Sequence, residues 1–479
     1  MNFETVIGLE IHAELSTKTK IFCSCPTTFG AEPNAHTCPV CLGLPGTLPV
    51  LNEEVINLAL KAGLALNCGI NFINKFDRKN YFYPDLPKAY QISQFDLPIC
   101  KNGYVDIEVD GIKKRVTLNR IHIEEDAGKL VHLEDEKISL VDYNRVGVPL
   151  VEIVSEPDMR SPMEAVEFLR TLRAILEYAG ISDCKMEEGS LRCDANISTR
   201  ILGDTQLNAK VEIKNMNSFK ELQKALEKEE KRQRELYTYG EEYKIKQETR
   251  RWDSGKGRTV PMRSKEDAHD YRYFPDPDLL PIIIKQAQLD EIEKTLPELP
   301  DAKIKRFLNA FNLSKNEVEI LVDDKALADY FEALVSEGCN PKSAANWVIG
   351  DLLKLLKEKE ISSKHIPVNE HSLFKLMDLI EKGSISITAA KEVFEVMFTK
   401  MWEPEEVIKE KGLSQISSED ALGALIEEVI VENPASLNDY KSGKLQALGF
   451  MMGQIMKKSK GQANPKLVKE MLETKLKGL

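Results

Sequence analysis

Val6-Ile-Gly-Leu-Glu10-Ile-His12-Ala-Glu14-Leu15, with Cys23-Ser-Cys25 and Cys38-Pro-Val-Cys41 behind it, is the stretch from which the rest of the chain is read. Its residues alternate. At a period of two, Glu10, His12 and Glu14 fall on one face of a strand, and Ile7, Leu9, Ile11 and Ala13 fall on the other. A carboxylate–imidazole–carboxylate face is poor packing material but suits a hard cation or a proton-transfer site. The cysteines follow as a C-x-C pair, twelve residues, then a C-x2-C pair. That spacing is close to a structural zinc site, with four reduced, buried thiols as the alternative. Both features together predict a metal-dependent enzyme whose N-terminal region is stapled by a second metal.

Working outward, 479 residues are enough for two or three domains, each with its own core. The net charge of −12 argues against a protein that coats nucleic acid generally, so any basic surface must be local. Glu4 and Glu10 stand where a signal peptide would carry basic residues, and no apolar run approaches the roughly 20 residues that span a bilayer. Nine cysteines, four of them in metal spacing, fit a reducing compartment better than a disulfide framework. The expected location is cytoplasmic.

Up to about residue 290 the pattern is mixed. Asn52 caps a helix expected from Glu53 to about Leu66. Tyr104–Val109 and Lys114–Leu118 alternate as strands around an Asp110-Gly111 hairpin signal. Ser161-Pro162-Met-Glu164 reads as a capping box opening an amphipathic helix with Val166, Leu169, Leu172, Leu176 and Ala179 on one side, closed by Gly180. Strands are expected at Leu191–Ile197 and Ala209–Ile213. The charged helix from Ser218 to Leu236 reads as a solvated face. Prolines from Tyr273 to Pro300 mark a domain boundary, beyond which the pattern is helical with breaks at Gly338-Cys-Asn-Pro341, Gly383 and Glu403-Pro404. From Lys441 to Leu479 nine lysines face only Glu470 and Glu473, a local +7 that suits a phosphate backbone, or else solubilises a tail.

Acidic residues recur inside strand-like apolar sequence at Glu10-Ile-His12, at Arg120-Ile-His-Ile-Glu-Glu-Asp-Ala-Gly-Lys129 and at Pro149-Leu-Val-Glu152-Ile-Val154. Glu152 interrupts an otherwise apolar strand and needs a partner there. Carboxylates on rigid strands with a histidine supply the oxygen-rich shell that Mg2+ prefers. Asp77-Arg78-Lys79-Asn-Tyr-Phe-Tyr-Pro-Asp-Leu-Pro-Lys88 combines cations, aromatics and turn prolines, as a loop contacting a nucleotide would. Asn144-Arg145 and Glu188-Gly-Ser190-Leu-Arg192-Cys-Asp-Ala-Asn196 are equally dense in hydrogen-bonding groups. Ala127-Gly128-Lys129 lacks the earlier glycine and the Ser/Thr of a phosphate-binding loop, and there is no G-x-S-x-G elbow.

These motifs resemble, in order and along the whole chain, the GatB family of aspartyl/glutamyl-tRNA amidotransferase subunits. The resemblance is carried by Val6–His12, Cys38–Gly46, Asp77–Pro87, His122–Lys129, Asp142–Arg145, Glu152–Asp158, Gly189–Asn196, Lys214–Phe219, Asp270–Pro275 and Lys460–Pro465. The bacterial and organellar type matches better than the archaeal GatE, which carries an extra inserted domain. The resemblance implies an α+β protein: a mixed α/β cradle, an all-helical domain, and a YqeY-like helical tail that contacts tRNA. With the boundaries above, these are residues 1–292, 293–404 and 405–479.

It further implies a complex with a GatA-type glutaminase and a GatC-type small subunit. ATP and Mg2+ would serve to phosphorylate the side-chain carboxylate of glutamyl-tRNA(Gln) or aspartyl-tRNA(Asn), and ammonia from the glutaminase would displace the phosphate. By family resemblance the Mg2+ ligands are Glu10, His12, Glu125 and Glu152; the residues alone do not choose Glu125 over Glu124. Lys79 joins them as a catalytic candidate. Arg78, Lys79, Asn144, Arg145, Ser190 and Arg192 are the candidates for holding the nucleotide, and Cys23, Cys25, Cys38 and Cys41 for Zn2+. Lys441, Lys444, Lys457, Lys458 and Lys460 are the candidates for tRNA. Two rival readings are a non-catalytic, zinc-containing tRNA-binding scaffold, in which Glu125→Gln leaves amidation intact, and a free-standing ligase that turns over ATP without tRNA.

Overall fold

The computed structural model describes residues 2–133, 137–264, 270–413, 419–442, 444, 446–459, 463 and 465–478. The chain forms two compact units, residues 1–300 and 301–479. The first joins sheet to helices and the second is helical among its described residues, so the class is α+β.

The first unit is built on a nine-stranded sheet in the order Arg258–Ser264, Glu248–Asp253, Val211–Met216, Leu191–Ile201, Phe3–Glu14, Pro149–Ser155, Ile112–Glu125, Cys100–Val109, Gly69–Ile70. The opening strand Phe3–Glu14 therefore lies at the centre. All neighbours are antiparallel except Val211–Met216 beside Glu248–Asp253. One face of the sheet is apolar: Ile7, Leu9, Ile11, Ile121, Ile123, Val151, Ile153, Ala195 and Ile197 are all essentially inaccessible to water. Helices Glu53–Ala65, Pro162–Tyr178 and Phe219–Thr238 cover it.

Local signals explain these helices. Asn52 accepts a hydrogen bond from the Glu54 amide, and Gly180, at φ +67°, ends the second helix. The capping box expected at Ser161 is half formed. Ser161 Oγ accepts from the Glu164 amide at 3.2 Å, but the Glu164 carboxylate takes the amide of Arg160 and the ammonium of Lys114. The Arg160 amide lies one residue earlier than the box requires. The 219–238 helix is also not simply solvated. Glu229 is fully buried, accepting from Arg232 at 2.6 Å, from Gln233 at 3.0 Å and from Thr259 at 2.9 Å. Its charge needs these partners because burial removes it from water.

Residue 292, where the sequence places the end of the cradle, lies inside helix Gln286–Lys294, which packs on helix Glu53–Ala65. The second unit starts at Asp301, within helix Pro300–Phe311, and continues through helices broken near Gly338, Gly383 and Glu403, as expected. Helix Pro404–Lys411 packs against Glu370–Glu381 and Ile387–Lys400. Near the C-terminus Leu422, Ile426, Val429, Met451, Ile455, Val468 and Leu472 close a separate small core. No described helix is long and apolar enough to cross a membrane.

Candidate active site on the polar face of the sheet

The face of the sheet opposite the helices collects polar groups from four adjacent strands. His12 is paired with Glu152 on one side and with Arg192 on the other, and Glu152 is paired with His122. Direct pairing puts side chains on the same face. The result is compact: His12 Nε2 lies 3.3 Å from Glu152 and 3.6 Å from Glu124, and His122 Nε2 lies 3.4 Å and 3.7 Å from the same two carboxylates. Ligand atoms of Glu10, His12 and Glu152 fall within 4.8 Å of one another, as do those of His122, Glu124 and Glu152. Ser93 Oγ donates to Glu124 at 3.2 Å.

The electrostatics follow from this crowding. Burial works against ionising Glu152, but His122 and His12 outweigh it and hold the carboxyl well below its usual range. Glu124 is likewise held low against burial by His122. Burial opposes the charge on His122, yet Glu152 and Glu124 lift its pKa to about 9. Glu10, pressed by burial and by Glu152, is pushed up. Such a set of oxygen and imidazole donors, mutually close, has the donor types that a divalent cation takes.

Three of the four expected ligands meet here; the fourth does not. Glu125 is replaced in the cluster by Glu124. A bulge shifts the register between Leu118 and Arg120, and from Arg120 to Glu125 side chains alternate, so Glu125 leaves on the opposite face from Glu124, where it accepts from Lys88 Nζ and from the Ile92 amide at 2.9 Å. Lys79 does belong to the polar face. Burial opposes its charge, but Glu124 leads the groups that raise its pKa, and its ammonium sits over the rings of Tyr271 and Tyr81 at 4.9 and 5.7 Å. Arg78, one residue earlier, points away and is occupied by Asp276 and Asp278, each at 2.8 Å, and by the Tyr90 ring.

The other nucleotide candidates are spread out. Arg192 bonds Asp126 at 2.6 Å beside the cluster, and Arg145 reaches the carbonyls of Ala127 and Gly128. Ser190 accepts from the Lys185 amide and lines a small cavity with Glu14, Asp183 and Glu188, in which burial and Asp126 raise the Glu14 pKa to about 7. Asn144 is used elsewhere: it accepts from the His36 amide and donates to the Glu32 carbonyl, pinning the cysteine loop. Residues to which the sequence assigned no role are His122, Asp126, Ser93 and the half-buried pair Lys214–Asp194. The period-two spacing of His122 and Glu124 was a usable signal for the first.

The cysteine knuckle is formed as expected. The four thiol sulfurs of Cys23, Cys25, Cys38 and Cys41 lie within 4.8 Å of one another. The Cys38 and Cys41 sulfurs are 3.9 Å apart, close to the edge of a tetrahedron of about 2.3 Å metal–sulfur bonds, and the Cys38 amide donates to Cys41 Sγ at 3.1 Å. No cysteine of the chain is in a disulfide. The set is compatible with structural zinc.

Of the tail lysines, Lys444 pairs with Asp439, and Lys458 with Glu428 and Glu432, while Lys457 is exposed. Lys441 ends helix Pro434–Lys441. Lys460 lies outside the described residues.

In class, this is an α+β protein with a carboxylate–imidazole cluster on the polar face of its sheet and a separate tetrathiol knuckle. The chain belongs to the GatB/GatE family: the GatB/GatE catalytic domain matches residues 5–290, and the GatB domain that follows it in this family matches residues 329–476. The chain is 66% identical to a GatB-type subunit of the aspartyl/glutamyl-tRNA(Asn/Gln) amidotransferase of Clostridium acetobutylicum, over 99% of both chains. It is 62% identical to the corresponding subunit from Clostridium beijerinckii, again over 99% of both, and 56% identical to that from Thermoanaerobacter pseudethanolicus over 99% of this chain and the whole of the other.

Proposed function

We propose that the chain is the kinase and transamidase component of a tRNA-dependent amidotransferase, working in a complex with a GatA-type glutaminase and a GatC-type small subunit in the cytoplasm. The observation that carries this reading is the cluster of Glu10, His12, Glu124 and Glu152, with His122 in reach, on the polar face of a rigid sheet. The names of the full-length relatives supply the substrate: a tRNA misacylated with glutamate or aspartate.

A carboxylate is a poor electrophile, and phosphorylation gives it a leaving group. In the first step a side-chain carboxylate oxygen of the aminoacyl group attacks the γ-phosphorus of ATP. A new O–P bond forms and the bond to ADP breaks. In the second, ammonia attacks the acyl carbon, a C–N bond forms, phosphate departs with the C–O electron pair, and the surplus proton leaves the nitrogen. Glu10, His12, Glu124 and Glu152 would hold Mg2+, which when bound supplies charge neutralisation for phosphoryl transfer. Lys79, kept charged by Glu124, neutralises phosphate oxygens rather than accepting a proton from ammonium. Arg192 and Arg145, both steadied by Asp126, add positive charge for the remaining phosphate oxygens. The chain has no nucleophile motif for releasing ammonia from glutamine, which fits a division of labour with a glutaminase. Cys23, Cys25, Cys38 and Cys41 would hold a structural Zn2+. Residues 405–479 would form a tail contacting the tRNA backbone through Lys441, Lys444, Lys457, Lys458 and Lys460.

The test is amidation by the reconstituted complex, supplied with glutamyl-tRNA(Gln), ATP, Mg2+ and free ammonia, which bypasses the glutaminase. Wild type is expected to form glutaminyl-tRNA and ADP, and Glu124→Gln to lose both. Full activity in Glu124→Gln and also in Glu152→Gln would reduce the chain to a scaffold.

A further inference from the structure

Lys20 is one of the largest fully buried side chains in the chain, with no exposure to solvent. A buried ammonium has three N–H donors to satisfy and a charge to balance. The donors are accounted for: Nζ donates to the His36 carbonyl at 2.7 Å, to the Tyr143 carbonyl at 3.4 Å and to Cys41 Sγ at 3.8 Å. Two of these acceptors are neutral, and among the described residues Nζ forms no ion pair with a carboxylate. Its charge partner is the sulfur.

The chemistry of the knuckle explains such a placement. Four thiolates around a dication leave two surplus negative charges in a poorly hydrated place. We propose that Lys20 is the internal counter-cation of the tetrathiolate metal centre, a positioning residue that offsets the charge of its ligands without being one. The backbone supports the assignment. The Lys20 amide donates to the Cys25 carbonyl at 2.9 Å, while its side chain reaches Cys41, so one residue fastens both cysteine pairs. The next amide, of Ile21, donates to the Gly147 carbonyl at 2.9 Å, and Gly147 packs near the Lys20 stem, with φ at +77°. Lys20 thus also ties the knuckle to the 143–147 turn.

The inference rests on the zinc reading of the four cysteines, and the experiment separates the two. The purified full-length chain is loaded with zinc, and its affinity is measured by competition with a chromogenic chelator, beside thermal unfolding, for wild type, Lys20→Met, Lys20→Gln and Lys20→Arg. Wild type should bind one zinc. Lys20→Met and Lys20→Gln should hold it about ten-fold or more weakly, in the range seen when groups behind metal ligands are removed. Lys20→Arg keeps the charge but crowds the site, so it should melt earlier than wild type yet hold zinc better than Lys20→Met. A merely structural lysine would show the two properties falling together. Wild-type zinc affinity in folded Lys20→Met or Lys20→Gln, or an arginine variant as weak as the neutral ones, overturns the role of Lys20 alone. A wild-type chain that binds no zinc overturns both readings. If Lys20→Met does not fold, the comparison of Lys20→Gln with Lys20→Arg decides.

Discussion

His12 and Glu152 face each other as directly paired residues of neighbouring strands, with His12 Nε2 3.3 Å from Glu152 Oε2. His122 meets the same oxygen from the opposite neighbour at 3.4 Å. A carboxylate gripped by imidazoles from both sides is fixed in place before any ligand arrives, which lowers the cost of ordering a cation site.

Manganese binding followed by electron paramagnetic resonance should distinguish the two adjacent glutamates. Glu124→Gln is expected to weaken Mn2+ binding about ten-fold or more. Glu125→Gln should leave it close to wild type, because that carboxylate faces Lys88 on the other side of the sheet. Equal losses in both variants would contradict the assignment of faces.

Replacing Cys38 by serine removes one of four converging sulfurs. Zinc content is expected to fall well below about one ion per chain, with a clear drop in melting temperature. Mn2+ binding on the polar face should persist. An unchanged melting temperature and zinc content would sink the knuckle as a structural centre.

Arg78→Ala should act on stability rather than on the nucleotide. The Asp276 side chain it pairs with is wholly buried, and stripping a partner from a buried carboxylate costs about 3 kcal/mol. Urea titration should show that loss. A stable Arg78→Ala protein with a greatly raised KM for ATP would return Arg78 to the nucleotide.

In the helical unit, hydrogen bonds from Lys342 and from the Ser314 amide and hydroxyl hold Glu317 at a pKa of about 2 against a usual 4.5. A depressed carboxyl stabilises the fold fully above its unfolded value and loses that contribution as pH falls through the folded one. Glu317→Gln should therefore melt below wild type at pH 7, with the gap closing between about pH 4.5 and pH 2. A gap independent of pH would show that the charge is not responsible.

Much of this was legible in the sequence because it depended on local periodicity. The alternation of Val6 to Leu15 gave the central strand and its polar face, and Asn52, Pro162 and Gly180 marked helix ends correctly. What escaped was set by pairing between distant strands. Nothing local states that His122 lies opposite Glu152, or that a bulge between Leu118 and Arg120 shifts the alternation, so local sequence leaves the choice between Glu124 and Glu125 open. Burial of Glu229 escaped for the same reason: its partner Thr259 lies thirty residues away. The Arg78 pairing escapes for another reason: a cation in a nucleotide-like loop looks the same whether it meets phosphate or Asp276.

The alternation along Arg120–Glu125 also limits how this protein can diverge. Neighbouring carboxylates serve opposite sides of one wall, so a single residue inserted between Arg120 and Ile121, just past the bulge at Leu118–Arg120, would exchange them, sending His122 and Glu124 into the oily layer and Ile121 and Ile123 onto the polar face. The stretch from Arg120 to Glu125 can accept substitutions one at a time, but its length is locked. Lineages of this fold should therefore vary in their loops and tips while keeping this span at a constant residue count.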